Sequence, residues 1–405
     1  MDALTTPSNW QRVRLGDIGK PCMCKRVMKH QTTRYGEIPF YKIGTFGNTA
    51  DAFISKKLFL EYQTKYSFPK KGDILISASG TIGRAVIYDG KPAYFQDSNI
   101  VWIDNDETLV KNDFLFYAYS HVKWNTEHTT ILRLYNDNFK NTLIPLPPLN
   151  EQIAIANILS DVDRYLYSLD ALILKKESVK KALSFELLSQ RKRLKGFNQA
   201  WQRVRLGDMT TSFTKQTGFD YSDFIKPTLI KEYLPNYIPF IQNKDFLGHY
   251  INYKTDYFIP NEIAIRFPQI LLNEKCLLIS VSGAIGNVAV FNHSQDAFIG
   301  GAIAVLKFKE KKSLDFVMHF LMSASGQKLL LNGVKSSSHK NLTIADLRDL
   351  LIPLPPLNEQ IAIANILSAL DHEIISLKNK KRQFENIKKA LNHDLMSAKI
   401  RVLKK

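Results

Sequence analysis

The sequence predicts a mixed α/β protein built as an internal repeat, with two globular heads separated by two long helices. Three observations predict this. The segment LIPLPPLNEQIAIANILS occurs at 143–160 and again, letter for letter, at 351–368. The segment WQRVRLGD occurs at 10–17 and at 201–208. After each copy of the longer segment, some forty residues pass without glycine or proline, in an apolar pattern suited to a helix. Identity over such lengths marks a repeat, and a repeat fixes the architecture before any single element is read.

The copies align throughout, but with a changing offset. Trp10 matches Trp201, Ile38-Pro39-Phe40 matches Ile238-Pro239-Phe240, and ISASGTIG at 76–83 matches ISVSGAIG at 279–286. From Pro145 and Pro353 onward the offset stays at 208, so KKAL at 180–183 meets KKAL at 388–391. Surface loops gain and lose residues freely. A helix cannot, because one inserted residue rotates every later side chain by about 100°. The division expected along the chain is 1–148 for the first head, 149–200 for the first helix, 201–356 for the second head and 357–405 for the second helix.

Within the heads, residues 72–88 and 275–291 each read as strand, glycine turn and strand. Segments 113–122 and 314–331 read as helices. Pro147 and Pro148 stop the chain before the first long helix. Asn150 suits the N-cap and Glu151 the first turn. In the first helix Ile155, Leu159, Val162, Leu166 and Leu169 fall at coiled-coil spacing. In the second, Ile363, Leu367, Leu370, Ile374 and Leu377 do the same before a break at Lys381. A rod of about 60 Å with so narrow a stripe needs a partner, and the other copy is at hand. The expectation is a pseudo-two-fold dumbbell whose helices pair antiparallel as a coiled-coil spacer.

Composition narrows the function. Fifty-five Lys and Arg against thirty-eight Asp and Glu give a net charge of +17, which favours a polyanionic partner. No run of residues has the length and apolarity of a membrane span, and the N-terminal residues lack a signal-peptide pattern, so a cytoplasmic protein is expected. Three cysteines cannot build a disulfide framework. Cys22 and Cys24, with His30 nearby, do not complete a metal site, so no metal is expected. There is no phosphate-binding loop, no Asn-Pro-Pro-Tyr-like adenine-methylation motif and no nucleophile elbow at Ser77. No catalytic residue is assigned.

The duplicated Trp-x-x-V-x-L-G-D opening, I-P-F segment, S-G-x-I-G turn and P-L-P-P-L-x-E-Q helix start resemble the specificity subunits of type I restriction–modification systems, over nearly the whole chain. The resemblance implies that each head is a target recognition domain reading one half of a split sequence in double-stranded DNA. It implies that the helices set the gap between the halves. It also implies docking of two methylation subunits, which carry S-adenosylmethionine and modify adenine, and of two motor–nuclease subunits using ATP and Mg2+. No cofactor is expected in this chain, which would be a non-catalytic subunit in the cytoplasm of a bacterium or archaeon. The rival readings are a protein-only coiled-coil scaffold and a stand-alone methyltransferase or nuclease.

Base readers should differ between heads that share a scaffold. Before the hinge, Thr129, Thr130, Arg133 and Tyr135 of the first head stand against Ser336, Ser337, Ser338, His339 and Lys340 of the second. After the I-P-F segments, Lys42 and Thr45 stand against Gln242, Asn243 and Lys244. Lys25, Arg26, Lys29 and Arg34 form a further basic stretch. The glycine turn itself reads as a structural tight turn. RKRLK at 191–195 reads as the cationic end of the first helix.

Overall fold

The computed structural model describes residues 10–128, 132–215, 220–248, 250–332 and 341–402, the side chain of His128 excepted. The chain forms two compact units. One comprises residues up to Asp170 together with Asn379 onward, the other Ala171–Lys378. Each unit therefore joins a head to part of both long helices, pieces that the linear division 1–148, 149–200, 201–356 and 357–405 keeps apart.

In the first unit an antiparallel sheet runs in the order Gly19–Met23, Ile100–Asn105, Ile74–Ser77, Ala85–Ile87. Its central strands are apolar over Ile74–Ile76 and Ile100–Ile103 because both faces are covered there. Ile74, Ile76, Val101 and Ile103 turn toward the helix Asn112–Tyr119 and the start of the first long helix. Leu75, Ile100 and Trp102 turn to the opposite side, against Phe40, Phe46 and Tyr94. Period-two alternation thus feeds two cores rather than one core and solvent. The second unit repeats the plan with Thr210–Lys215, Ile303–Phe308, Cys276–Ser280 and Val288–Phe291. There Leu277, Ile279 and Leu306 serve one core, and Cys276, Leu278 and Val305 the other.

The I-P-F segments are strands, Ile38–Tyr41 and Tyr237–Ile241, each pairing antiparallel on one side and parallel on the other. The expected helix at 314–331 is two, Leu314–Met322 and Ala324–Asn332, separated at an extended Ser323. Gly326 lets the second approach closely, since a Cβ there would lie 2.0 Å from the Phe320 carbonyl oxygen. Burial raises the pKa of the Cys24 and Cys276 thiols to about 12, which leaves them unreactive. Among the described residues no group of three or more His, Cys, Asp or Glu is placed to hold a metal ion. No described helix is long and apolar enough to cross a membrane.

The repeated motifs close each head onto a helix. The strand Gln11–Arg14 pairs antiparallel with Leu143–Leu146, and Gln202–Arg205 pairs with Leu351–Leu354 in the same register. The long helices then run Leu149–Leu188 and Leu357–Met396 without interruption. The first begins one residue ahead of the expected Asn150 cap, because the Pro148 carbonyl accepts from the Glu151 and Gln152 amides, both at 2.9 Å. Gln152 bonds the Pro147 and Leu109 carbonyls and receives the Lys111 amide. Glu151, 2% exposed, accepts from Trp10 Nε1 at 3.0 Å and from Arg401 Nε and Nη2 at 2.7 and 2.9 Å. Glu359, 1% exposed, accepts from Trp201 Nε1 at 3.2 Å and from Arg193 Nε and Nη2 at 3.0 and 2.6 Å. The first helix has already ended at Leu188, so RKRLK is not its last turn. Three of its four cations are engaged internally: Arg191 lies over the Phe185 ring, Lys192 pairs with Glu186 and Arg193 with Glu359.

Within each unit the helices run antiparallel. Asp163 meets Lys388 and Asp170 meets Lys381 in the first; Lys176 meets Glu373 and Lys180 meets Asp371 in the second. Of the expected pairing residues, Ile155 and Leu159 are buried in the core of the first head, which also takes Leu395 and Met396. Ile363 and Leu367 are buried in the second head, beside Leu187 and Leu188. Leu169 and Ile374 are buried farther along the helices, while Val162, Leu166, Leu370 and Leu377 are half-buried. The break at Lys381 is an ionic site, its ammonium held charged by Asp170 and Glu385. A two-helix seam has open flanks, so ion pairs worth about 0.2–1 kcal/mol each border it.

Beside the strand pair that closes the first head, the rings of His121 and His393 lie 5.3 Å apart. Burial, then the neighbouring His393, lowers the pKa of His121. A depressed histidine pKa means that the unfolded chain binds the proton first. The contribution is therefore complete above the ordinary value of 6.5 and is lost as pH falls below it. Denaturation midpoints at pH 7.5 and 5.5 should differ less in His121→Gln than in the parent chain; an unchanged difference would remove this pair as a source of acid sensitivity.

Candidate nucleic-acid interface

The glycine turn is the post on which the candidate DNA-contacting segments of each head are hung. In the first head, Ser77 Oγ receives the Arg84 amide at 2.9 Å and donates to the Thr81 carbonyl at 2.5 Å. Gly80 and Gly83 sit at φ of +65° and +83°, where a side chain is disfavoured. The segment before the hinge lies alongside: the Gly80 amide bonds the Leu132 carbonyl, the Leu134 amide bonds the Ala78 carbonyl, and Ser79 bridges Arg133. Arg84 Nη1 reaches the Phe46 carbonyl at 2.9 Å and so ties down the loop that carries Lys42 and Thr45. Ser79 Oγ donates to Asn99 Oδ1 at 2.7 Å. Two residues before Asn99, Asp97 holds Arg26 at 2.8 Å, and Gln96 accepts the Ile43 amide at 3.1 Å.

Three stretches distant in sequence thereby converge: Lys25 and Arg26, Lys42 and Thr45, and Arg133. Their freedom differs. Lys25 lies over the Tyr66 ring, Arg26 pairs with Asp97 and Lys42 with Asp51. Thr45 caps its own turn by accepting the Lys42 amide. Lys29, Arg34, Arg133 and Tyr135 are exposed, and among the described residues no ion pair engages the three cations. Thr129 and Thr130 lie outside the described residues.

The second head uses the same post with different chemistry. Ser280 Oγ receives the Asn287 amide at 2.9 Å and donates to the Ala284 carbonyl. Gly283 and Gly286 again have positive φ. Ser282 bridges Asn341, and the Leu342 amide bonds the Val281 carbonyl. Asn243 Nδ2 donates to the Ser282 carbonyl at 2.5 Å, and this fixes the amide so that its Oδ1 faces away. That oxygen is buried with no hydrogen-bond partner among the described residues. It belongs to a recess of about 300 Å³ that Gln242, Lys244 and Tyr221 also line. Lys244 pairs with Asp256, which raises its pKa. Ser336, Ser337, Ser338, His339 and Lys340 lie outside the described residues, directly before Asn341.

Sequence reasoning did not select Arg84, Ser79 or Asn99, which organise the first head. The signal was present in the glycine turn kept by both heads. What pattern alone could not supply was the partner of each turn atom.

A duplicated scaffold that presents differing polar loops from one repeated turn, and carries a strong positive charge, defines a DNA-reading protein. The sequence profile of the type I restriction modification DNA specificity domain matches residues 7–177 and again 198–386. The chain belongs to this family, whose role is DNA recognition rather than catalysis. A putative type I restriction enzyme specificity subunit of Haemophilus influenzae is 64% identical over 148 residues, 36% of this chain and 38% of that protein. A putative specificity subunit of Methanocaldococcus jannaschii is 30% identical over 98% of this chain and 95% of its own length. Among solved structures, an S subunit from M. genitalium shares the fold with a TM-score of 0.66 at 17% identity, covering 98% of both chains.

Proposed function

We propose that the two heads read the two halves of a split DNA target, and that the paired helices set the gap between them. The observation that carries this is the repeated glycine turn, which gathers several polar loops in each head while leaving their chemistry different. In this reading Arg133, Tyr135, Lys29 and Arg34 serve the first half-site, and Gln242, Asn243 and Lys244 the second. Thr129, Thr130 and residues 336–340 complete the two sets. The pairing residues Val162, Leu166, Leu370 and Leu377 hold the spacer together. Two methylation subunits dock on the repeated surfaces, bringing S-adenosylmethionine, and motor–nuclease subunits bring ATP and Mg2+. The assembly works in the cytoplasm of a bacterium or archaeon.

The test is co-expression with the methylation subunit of its system in a host lacking that methylation, followed by genome-wide mapping of modified adenines. One two-part motif around a fixed gap is expected. A stable complex that leaves no new methylation would reject reading by these heads.

Residue-level outcomes follow from contact chemistry. Asn243→Ala should relax one base position of a single half-site, at about 1–3 kcal/mol of discrimination. Lys29→Ala and Arg34→Ala should weaken binding to all sequences alike, each lowering the salt slope by about one. A salt slope unchanged in both variants would take that stretch off the DNA.

A further inference from the structure

The ion pairs at Glu151 and Glu359 cross between the repeats. Arg193 and Arg401 occupy equivalent positions at the offset of 208, each just beyond a long helix. Neither turns back to the head of its own repeat. Arg401, in the second repeat, binds Glu151 and lies over the Trp10 ring, both in the first. Arg193, in the first repeat, binds Glu359 beside Trp201 in the second. Each site joins three separate segments: the strand that opens a head, the first turn of one helix, and the tail that follows the other.

We infer that these are two latches that fix the pose of each reading head on its helices, and that Arg401 positions the first head while Arg193 positions the second. The inference rests on the reading that each head recognises one half-site. Burial of apolar groups would hold the same segments together without fixing an angle. A carboxylate at 1–2% exposure, gripped by two parallel N–H groups of one guanidinium and by an indole N–H, accepts only one arrangement. Ionic groups kept inside a protein commonly serve register rather than net stability. Here the same three residue types recur in both units, and they account for the repetition of the tryptophan of WQRVRLGD and the glutamate of NEQ. Among the described residues the bonds of both arginines go to the glutamates of these sites and not to the candidate DNA-contacting segments, so they act through the head they hold and are positioning residues.

The experiment uses the complex with the methylation subunit and reads methylation of targets carrying single-base changes in either half. The halves are first assigned to the heads by exchange of residues 10–142. Arg401→Gln is expected to lower discrimination about tenfold in the half-site of the first head and to leave the other half unchanged. Arg193→Gln should do the reverse. Arg401→Lys and Arg193→Lys keep the charge but lose the two-point grip, and should give the same crossed pattern at smaller size. If the glutamine variants fail to accumulate, the lysine pair decides the matter. Loosening of both halves together, of the half belonging to the arginine's own repeat, or of neither, overturns the inference. Should the unaltered complex show no two-part motif, half-site reading fails instead. Hydrogen exchange then still tests the latch: Arg401→Gln should deprotect residues 10–18 and not 201–209, and equal protection in both segments would refute it.

Discussion

Seven residues inserted into the first long helix after Asp170, with the second helix left unchanged, are expected to destabilise the chain by about 4 kcal/mol or more. Both helices pass unbroken between the two units, and in each unit the antiparallel register is set by named pairs. One lengthened helix cannot satisfy Asp170 with Lys381 and Lys176 with Glu373 at once. Either one half of the seam unpairs or the insert is expelled from the helix. Unpairing exposes buried residues such as Leu169, Ile173 and Ile374, at roughly 1.5–3 kcal/mol for each side chain. The ion pairs add about 0.2–1 kcal/mol apiece. A matched insertion after Lys378 should restore the denaturation midpoint. It should also widen the gap in the mapped target by about three base pairs, since seven helical residues rise about 10.5 Å and DNA rises about 3.4 Å per pair. A single insertion without effect on stability would show that the seam does not depend on register.

The second large effect is expected at Gly83. Its φ of +83° disfavours any side chain, and a Cβ there would stand 2.2 Å from Trp124 Nε1. The indole has little room to yield, being packed against Tyr119 and Phe139. Strain of about 1–2 kcal/mol and overpacking of about 1–3 kcal/mol together put Gly83→Ala near 3 kcal/mol. Gly80→Ala is the control: φ is +65°, but nothing among the described residues lies within 4 Å, so only the backbone cost of about 1–2 kcal/mol remains. Because the turn anchors the segment before the hinge, Gly83→Ala should also blunt reading of the first half-site and spare the second. Denaturation and target mapping check both effects; equal midpoints for the two variants would show that Trp124 does not confine the turn.

Arg26 and Lys42 of the first head, like Lys244 of the second, are paired with carboxylates before any ligand arrives. In the second head Asn243 Oδ1 is buried with no hydrogen-bond partner among the described residues. The repeated motifs also have a simpler explanation than partner docking. Glu151 and Gln152, like Glu359 and Gln360, are buried and bonded within their own unit. Their identity in both copies is required by the fold itself, whatever else the helix starts touch.

The sequence by itself determined the repeat, the mixed α/β heads, the strand–turn–strand at each glycine motif and the two long helices. These are local or periodic: a strand shows its alternation, a helix its spacing, and a positive-φ turn its glycines. Even the ionic break at Lys381 was visible as a gap in the stripe. Tertiary structure alone decided which loops meet. Arg133, Thr45 and Arg26 are far apart in the chain and converge because Arg84 and Ser79 of the glycine turn bond to the loops around it, one of which carries Asp97, the partner of Arg26. It alone decided that Arg193 and Arg401 would serve the heads of the opposite repeats. Long-range ion pairs leave no period in a sequence; they are chosen by which surfaces the folded helices bring side by side.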